Sequence, residues 1–334
     1  MLLVGYAVFI FTSCVTTSKV SFQVLSPAKI IIPSAIIKLS LADNSNLIRG
    51  RFFLQIKEGD KLKQKNGLDS ALSRAMMYGM IDMLANSPRF AYVEKYTYHR
   101  DKTFNSRYDL MDWDEVHSLC DKDTSDALVV LEYFSLADSL SKNVAYNPTS
   151  GMYEGSMVIN SNALWRIYYP YSDNVYTDIQ IRDTIRWSDT SYNSAEVAIA
   201  LPDRELAIVQ ACYKAGKKFG TSIAHQWEET SRQIYVQGNA DFRLAYDLVN
   251  QKKWKEAIDI WLDIYEQNDG NKKLGSYAAF NLSVGYEVLD QLDTALNWAA
   301  KAYLLNPLPE TDKYIHVLEK RNKQKQEMIR QMEE

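Results

Sequence analysis

The feature that most constrains the fold is a change in the period of the apolar residues along the chain. Ile36–Ala42 reads as a strand, Leu68, Leu72, Met76, Met80 and Leu84 repeat at helical spacing, and Phe90–Val93 reads as a second strand. Asp112 is placed to cap a helix carrying Trp113, Val116 and Leu119, and Ala127–Phe134 (ALVVLEYF) is the nearly continuous apolar run of a strand buried on both faces. This alternation of strand and helix predicts an α/β layer with mostly parallel strands. Residues 135–156 are polar and read as a flexible connection. Period two then takes over: Ala163, Trp165, Ile167 and Tyr169 alternate with their neighbours, as do Val175, Ile179, Ile181, Ile185 and Trp187 after the turn at Ser172-Asp173-Asn174. That predicts an antiparallel ribbon with one wet face. From Asp203 onward the spacing is helical, with Ile208, Cys212, Ala215, Phe219, Ile223 and Trp227 in one stripe, and Gly216 and Gly220 within it predict a close helix crossing. The expected class is α+β: an α/β sheet domain with a ribbon, then an all-α region.

Residues 34–230 resemble the N-terminal domain shared by TolB-like and curli-export (CsgG-like) periplasmic proteins. The motifs are the turn Ser87-Pro88-Arg89-Phe90, the segment Tyr92-Val93-Glu94, and Ser125–Leu131 (SDALVVL). They are structural motifs and imply no chemistry. The curli-export resemblance allows a homo-oligomeric, ring-forming assembly.

Phe280–Pro307 resembles a tetratricopeptide repeat through Leu282, Ser283, Tyr286, Ala295, Trp298-Ala299, Ala302 and Pro307, and a looser copy carries Leu244, Ala245, Leu248, Trp254, Ala257 and Trp261. Two repeats bury too little by themselves, so the helix from Asp203 or the one over Thr311–Glu334 is expected to cap them. In such repeats the first helix of each unit lines the concave face. That face is expected to carry Phe242, Arg243, Tyr246 and Asn250 in the first unit, and Tyr277, Phe280, Asn281, Val284 and Glu287 in the second. Aromatic anchors among a few polar groups suit a recognition face for another envelope protein. The competing expectation is that these residues pack against one of the capping helices and leave no groove.

At the N-terminus, Leu2–Phe11 is an uncharged apolar run, too short to span a bilayer and of signal-peptide length. It leads into Phe11-Thr12-Ser13-Cys14, which resembles the lipobox of bacterial lipoproteins. The resemblance implies cleavage before Cys14 and acylation of its thiol. The expected organisation is a signal peptide over 1–13, a lipidated tether over 14–33, an α/β domain over 34–234 near the membrane, two repeat-like units over 235–309 and a charged capping helix over 310–334. Val15 is not the aspartate that retains enteric lipoproteins in the inner membrane, and residues 15–20 lack acidic groups that direct related proteins to the cell surface. The expected location is the outer membrane, facing the periplasm. As a whole, the chain resembles a group of envelope lipoproteins from Bacteroides-like bacteria, to which the resemblance attaches no reaction.

The composition is that of a globular protein, 46% hydrophobic and 24% charged with a net charge of -4, and it shows no nucleic-acid footprint. His99, His117, His225 and His316 have no zinc-ligand spacing. There is no Walker loop, dinucleotide fingerprint or nucleophile elbow. Gly216–Ser222 lacks the order of a phosphate loop. Asp121, Asp123, Ser125 and Glu132 stand at calcium-loop positions, but Asp126 replaces the glycine needed for the turn. The chain is therefore read as non-enzymatic, without cofactor or metal. Cys120 and Cys212 are expected to be buried thiols, with a disulfide as the competing pairing. Tyr146, Tyr153, Tyr168, Tyr169, Tyr171 and Tyr176 crowd the ribbon. They are expected to cover its face, and the alternative function is glycan or peptidoglycan binding there.

Overall fold

The structure, a computed structural model, describes residues 16–45, 54–58, 61–65, 69–91, 97–98, 110–138, 143–267 and 270–333. The chain is α+β and divides into two compact units. Among the described residues, a sheet unit comprises those within 27–226 together with 330–333, and a helical unit comprises 16–26 together with those within 227–329.

In the sheet unit the strands are β2 (Leu39–Asp43), β3 (Leu54–Glu58), β4 (Lys61–Lys65), β5 (Thr97–Tyr98), β6 (Ala127–Asp138), β7 (Asn143–Asn147), β8 (Met152–Tyr169) and β9 (Asn174–Ser191). The helices are α1 (Asp69–Ala85), α2 (Trp113–Asp123), α3 (Ser194–Ala200) and α4 (Arg204–Ile223). β2 runs parallel to β5 on one side and to β6 on the other. β6 and β7 follow one another along one edge of β8, antiparallel to it, and β9 covers the other edge along its whole length. β3 and β4 pair separately. The sheet is therefore mixed, parallel only around β2, because the long β8–β9 hairpin needs no crossover.

The ribbon is longer than the sequence predicts. Residues 135–156, read as a flexible connection, hold the end of β6, all of β7 and the start of β8. Where side chains are described, Ala145, Tyr146 and Glu154 are exposed, since an antiparallel sheet needs only one apolar face. Of the strand expected at 90–93, Phe90 and Ala91 are not extended into the sheet, and 92–93 lie outside the described residues. The helix begins as predicted, with the Asp203 side chain accepting from Glu205 N, but it ends at Ile223. Trp227, expected on its stripe, lies instead in an exposed stretch of strand.

One face of the sheet packs on α1 and α4. Met76, Met80, Ala211, Ala215 and Phe219 meet Ile159, Trp165, Ile167, Ile179 and Ile181, and Trp165 stacks on Phe219 at 4.3 Å between ring centres. α2 covers part of the opposite face, where Met111, Val116 and Cys120 pack on Leu128, Val130 and Tyr168. The α1–α4 crossing is close because glycines stand on both helices. A Cβ on Gly216 would lie 1.8 Å from Met76 O, and one on Gly79 would lie 2.0 Å from Tyr213 O.

The helical unit contains β1 (Thr17–Ser26), β10 (Gln226–Tyr235), α5 (Ala240–Asn250), α6 (Trp254–Gln267), α7 (Lys272–Val288), α8 (Leu292–Leu305) and the body of α9 (Pro309–Glu333). The four helices α5–α8 form two hairpins. Small residues set the spacing of α7 and α8: Ser283 Oγ donates to Ala295 O at 2.7 Å, and Ser276 Oγ to Ala302 O at 2.9 Å. Tyr314 and Leu318 of α9 join this core, whereas α4 belongs to the sheet unit, so α9 is the cap. Residues 17–26, expected as tether, form a strand paired with β10. Their alternation of Val20, Phe22 and Val24 with polar residues gives that strand one inward face.

Adding a methyl group at the glycine crossing forces two helix backbones apart. Gly216→Ala is expected to destabilise the sheet unit by about 3 kcal/mol, a fall of roughly 6–12 °C in melting temperature for a unit of this size. Gly270→Ala, where a Cβ meets open space, should leave the melting temperature within about a degree. Thermal denaturation followed by circular dichroism checks both.

Candidate functional site

The inner face of the hairpin stack is where a partner was expected, and the chain's own strand occupies it. Asn281 Oδ1 accepts from Tyr235 N at 2.8 Å, and Asn281 Nδ2 donates to Tyr235 O at 2.7 Å. One side chain thus satisfies both backbone groups of one residue in β10. The Tyr235 ring stacks on Tyr277 at 4.0 Å and meets Phe280 edge-on at 5.4 Å. Burial raises the Tyr235 hydroxyl to about 12, with smaller contributions from Tyr277 and Glu310. Further along α7, Glu287 accepts from Arg232 Nη2 at 2.7 Å, Arg321 Nη1 at 2.8 Å and Tyr314 hydroxyl at 2.6 Å. Burial together with Glu287 pushes the Tyr314 hydroxyl well up, so it stays a donor.

Phe242, Tyr277, Phe280, Asn281, Val284 and Glu287 are therefore interior residues and not a recognition face. Arg243 and Asn250 are exposed, and half-buried Tyr246 accepts a hydrogen bond from Ser18 of β1 at 2.8 Å. The open groove is corrected to a filled one. The filler comes in part from α9, as the competing expectation had it, and in part from β10, which was not foreseen. Glu287 carried the signal. A carboxylate flanked by Ser283, Val284 and Gly285 on a helix with small and apolar neighbours needs buried cations, and Arg232 is the nearest one on a short alternating run, Arg232–Val236.

In the sheet unit a second polar cluster lies at the carboxyl end of parallel strand β2, the position where open α/β sheets collect ligands. A bulge in β6 between Leu131 and Tyr133 turns Glu132 toward it. Tyr168 donates to Glu132, Asn44 Nδ2 donates to Glu132 at 2.9 Å, and Arg166 lies 3.6 Å from Glu132 while its Nε donates to Asp178 at 2.8 Å. Asp43 accepts from Ser45, and its Oδ2 has no partner among the described residues. Burial raises the Glu132 carboxyl against the opposing pull of Tyr168, Asn44 and Arg166. Apart from Asp43 Oδ2, these groups bond one another among the described residues.

The tyrosines do not form one platform. Tyr146 and Tyr153 pair at 5.3 Å near the start of β8, Tyr169 and Tyr171 at 5.5 Å beyond its end, and Tyr168 is buried under α2. The sixteen residue steps of strand from Tyr153 to Tyr169 correspond to roughly 50 Å. Midway along the ribbon is a cavity of about 690 Å³ lined by Ser135, Asn160, Ser161, Asn162, Arg182, Asp183, Thr184 and Lys218. Lys218 Nζ donates to Asp183 at 2.8 Å, Thr184 donates to Asn160 at 2.7 Å, and Asn162 Oδ1 has no partner among the described residues.

Cys120 and Cys212 are free buried thiols, which excludes the disulfide, and burial pushes both up. Among the described residues no group of three or more His, Cys, Asp or Glu could hold a metal ion, and no helix is long and apolar enough to cross a membrane. Cys14 lies outside the described residues.

A family model described as Domain of unknown function (DUF8603) matches residues 50–235, and a second, Domain of unknown function (DUF6340), matches residues 243–327. No curated protein matches the chain. Among solved structures, the crystal structure of protein XCC0632 from Xanthomonas campestris, assigned to the DUF330 family, aligns at 12% identity with a TM-score of 0.23. It covers 59% of this chain and 90% of that one.

Removing the Asn281 clamp leaves two buried backbone groups of Tyr235 unsatisfied. Asn281→Ala is expected to destabilise the helical unit by about 2–4 kcal/mol and to speed protease cutting between Arg232 and Val236; limited proteolysis against chemical denaturation reads both effects. Glu132 gives a pH signature. Its folded-state pKa is raised by burial, so its contribution to stability is present below about pH 4.5 and is lost as pH rises through the folded value. Glu132→Gln removes that loss, so the variant should gain stability relative to wild type on going from pH 4.5 to pH 7. Denaturant midpoints at the two pH values measure it; a difference independent of pH would contradict the burial account.

Proposed function

The chain belongs to the family described as Domain of unknown function (DUF8603), and we propose that it is a non-enzymatic lipoprotein of the outer membrane, facing the periplasm, that acts as an assembly scaffold for another envelope protein. The observation that carries this reading is the construction of the helical unit. β1 begins three residues after Cys14, it pairs with β10, and β10 is clamped by Asn281 and Glu287. A lipid on Cys14 would therefore pull on an integral strand of a packed unit and not on a slack tether. On this reading the anchor leads first into β1 of the helical unit, where the sequence suggests the sheet unit.

The hairpins α5–α6 and α7–α8 are read as tetratricopeptide-like. The small-residue contacts at Ser276 and Ser283 support this, as does the way the stack holds an extended segment through its backbone groups, a mode that main-chain recognition of peptides uses generally. With the inner face filled, partner contact shifts to the outer side of α5, where Arg243 and Asn250 are exposed. The TolB/CsgG-like reading of the sheet unit is part of the same proposal, supported by the parallel pair β2–β6 with helices on both faces.

A second reading is favoured by one observation: the mid-ribbon cavity, with its amide, hydroxyl and cationic lining, suits a polyhydroxylated ligand such as a glycan strand. Asn162→Ala with Arg182→Ala should then lower peptidoglycan or glycan-array binding at least tenfold, while Tyr146→Ala should not. Unchanged binding by the double variant would remove this reading.

The anchored-scaffold reading is tested at Cys14. Cys14→Ala should move the protein from the membrane to the soluble fraction and leave a heavier chain that retains residues 1–13. Protease added to intact cells should leave the wild-type protein whole. A variant that still pellets with membranes at the wild-type mass would sink the anchor.

A further inference from the structure

The helical unit exposes two apolar side chains, Tyr303 and Leu304, at the same end as the start of β1. Three contacts place the parts. Val236 N donates to Thr16 O at 3.2 Å, so β1 starts beside the segment leading into α5. A Cβ on Gly238 would lie 2.5 Å from Leu274 Cδ1, so that segment lies beside the start of α7. Ser276 bonds Ala302, so the start of α7 lies beside the end of α8. There α8 presents Leu304, 81% exposed, and Tyr303, 37% exposed, followed by exposed Pro307. The opposite end of the hairpins, at Gln251-Lys252-Lys253 and Asp290-Gln291, is exposed and wholly polar. The end that exposes Tyr303 and Leu304 is thus the end where β1 starts.

From these positions we infer that the Tyr303–Leu304 face rests on the bilayer that holds the lipid of Cys14. This inference depends on the anchoring proposed above. Three residue steps separate Cys14 from Thr17, a reach of at most about 11 Å. The headgroup layer on one side of a bilayer is roughly 5–8 Å thick, so β1 must start close above it, and the end of α8 lies at the same level. Tyrosine suits the interface, with an apolar ring and a polar tip, and a leucine on an interfacial element sits at the boundary between headgroups and acyl chains. Exposed charges of both signs stand at this end, Lys19, Lys272, Lys273 and Lys301 with Asp241, Glu266, Glu310 and Asp312. The contact is therefore apolar and interfacial, and it needs no anionic lipid.

The test uses the full-length lipidated protein in phosphatidylcholine vesicles, with a spin label at Leu304→Cys or, as the control at the opposite end, at Asp290→Cys. The native Cys120 and Cys212 are buried and do not compete for the label. Leu304 is exposed enough that its variant should melt at the wild-type temperature. The label at 304 should collide with oxygen several-fold more than with a water-soluble nickel chelate, and the label at 290 should show the reverse. Mass spectrometry of the N-terminal peptide reads the anchor independently. A lipidated protein whose label at 304 is as open to nickel as that at 290 overturns the bilayer contact alone. A label at 304 shielded from both reagents points to a second copy of the chain on this face and overturns it as well. An N-terminal peptide without lipid overturns the anchoring, and the bilayer contact with it.

Discussion

The helical unit depends on one buried carboxylate. Glu287 sits among small and apolar residues of α7 and is fully out of solvent, with Arg232 from β10 and Arg321 from α9 both in direct contact. Taking three charges out of water is unfavourable by itself, and only the pairing and the Tyr314 hydrogen bond compensate it. Such a cluster contributes little net stability. It does specify which strand and which helix pack on α7, because any other arrangement leaves a charge buried alone. Breaking one contact of this kind typically costs about 3–5 kcal/mol, so β10, α7 and α9 are held as a set. Asn281 adds the register, since its amide fits both backbone groups of Tyr235 only when the strand lies at one height.

The sheet unit solves a different problem. Its long ribbon needs a cover on one face only, and α1 and α4 supply it together because Gly79 and Gly216 let their backbones touch. That close approach keeps Met76, Met80 and Phe219 level with Trp165 and the isoleucines of β9. The other face is covered by α2 at one end and is polar beyond it. The ion cluster of Glu132, Arg166 and Asp178 marks the transition between the two. The bulge that aims Glu132 into this cluster also shifts β6 by one residue against β8, which places the Asn160, Asn162 and Ser135 side chains together on the polar face.

These two economies bear on function in opposite ways. The hairpin stack has the chemistry of a peptide-holding surface and applies it to its own chain, holding β10 and, through β10, the strand β1. The ribbon keeps an open polar cavity and scattered tyrosines, and it is the part with room for a ligand. The anchored scaffold proposed above is compatible with both, since β1 is held by its pairing and the outer side of α5 and the ribbon remain exposed.

The element types were legible in the sequence wherever a side-chain period is long: the ribbon around Trp165 and Ile179, the helix after Asp203, the hairpins around Ala257 and Ala295. Local periodicity encodes which face of an element is apolar, and local capping groups such as Asp112 and Asp203 encode where a helix starts. What lies against that face is not local. Whether Tyr277 and Phe280 line a groove or a core depended on a strand more than forty residues away, and whether residues 17–26 are tether or strand depended on their pairing with β10. The family of side chains suited to a binding face, aromatic with a few hydrogen-bonding groups, is the same family suited to clamping one's own backbone. Composition and period therefore determined the elements and their apolar faces, and only the tertiary packing, through the charges converging on Glu287, decided which chain fills the groove.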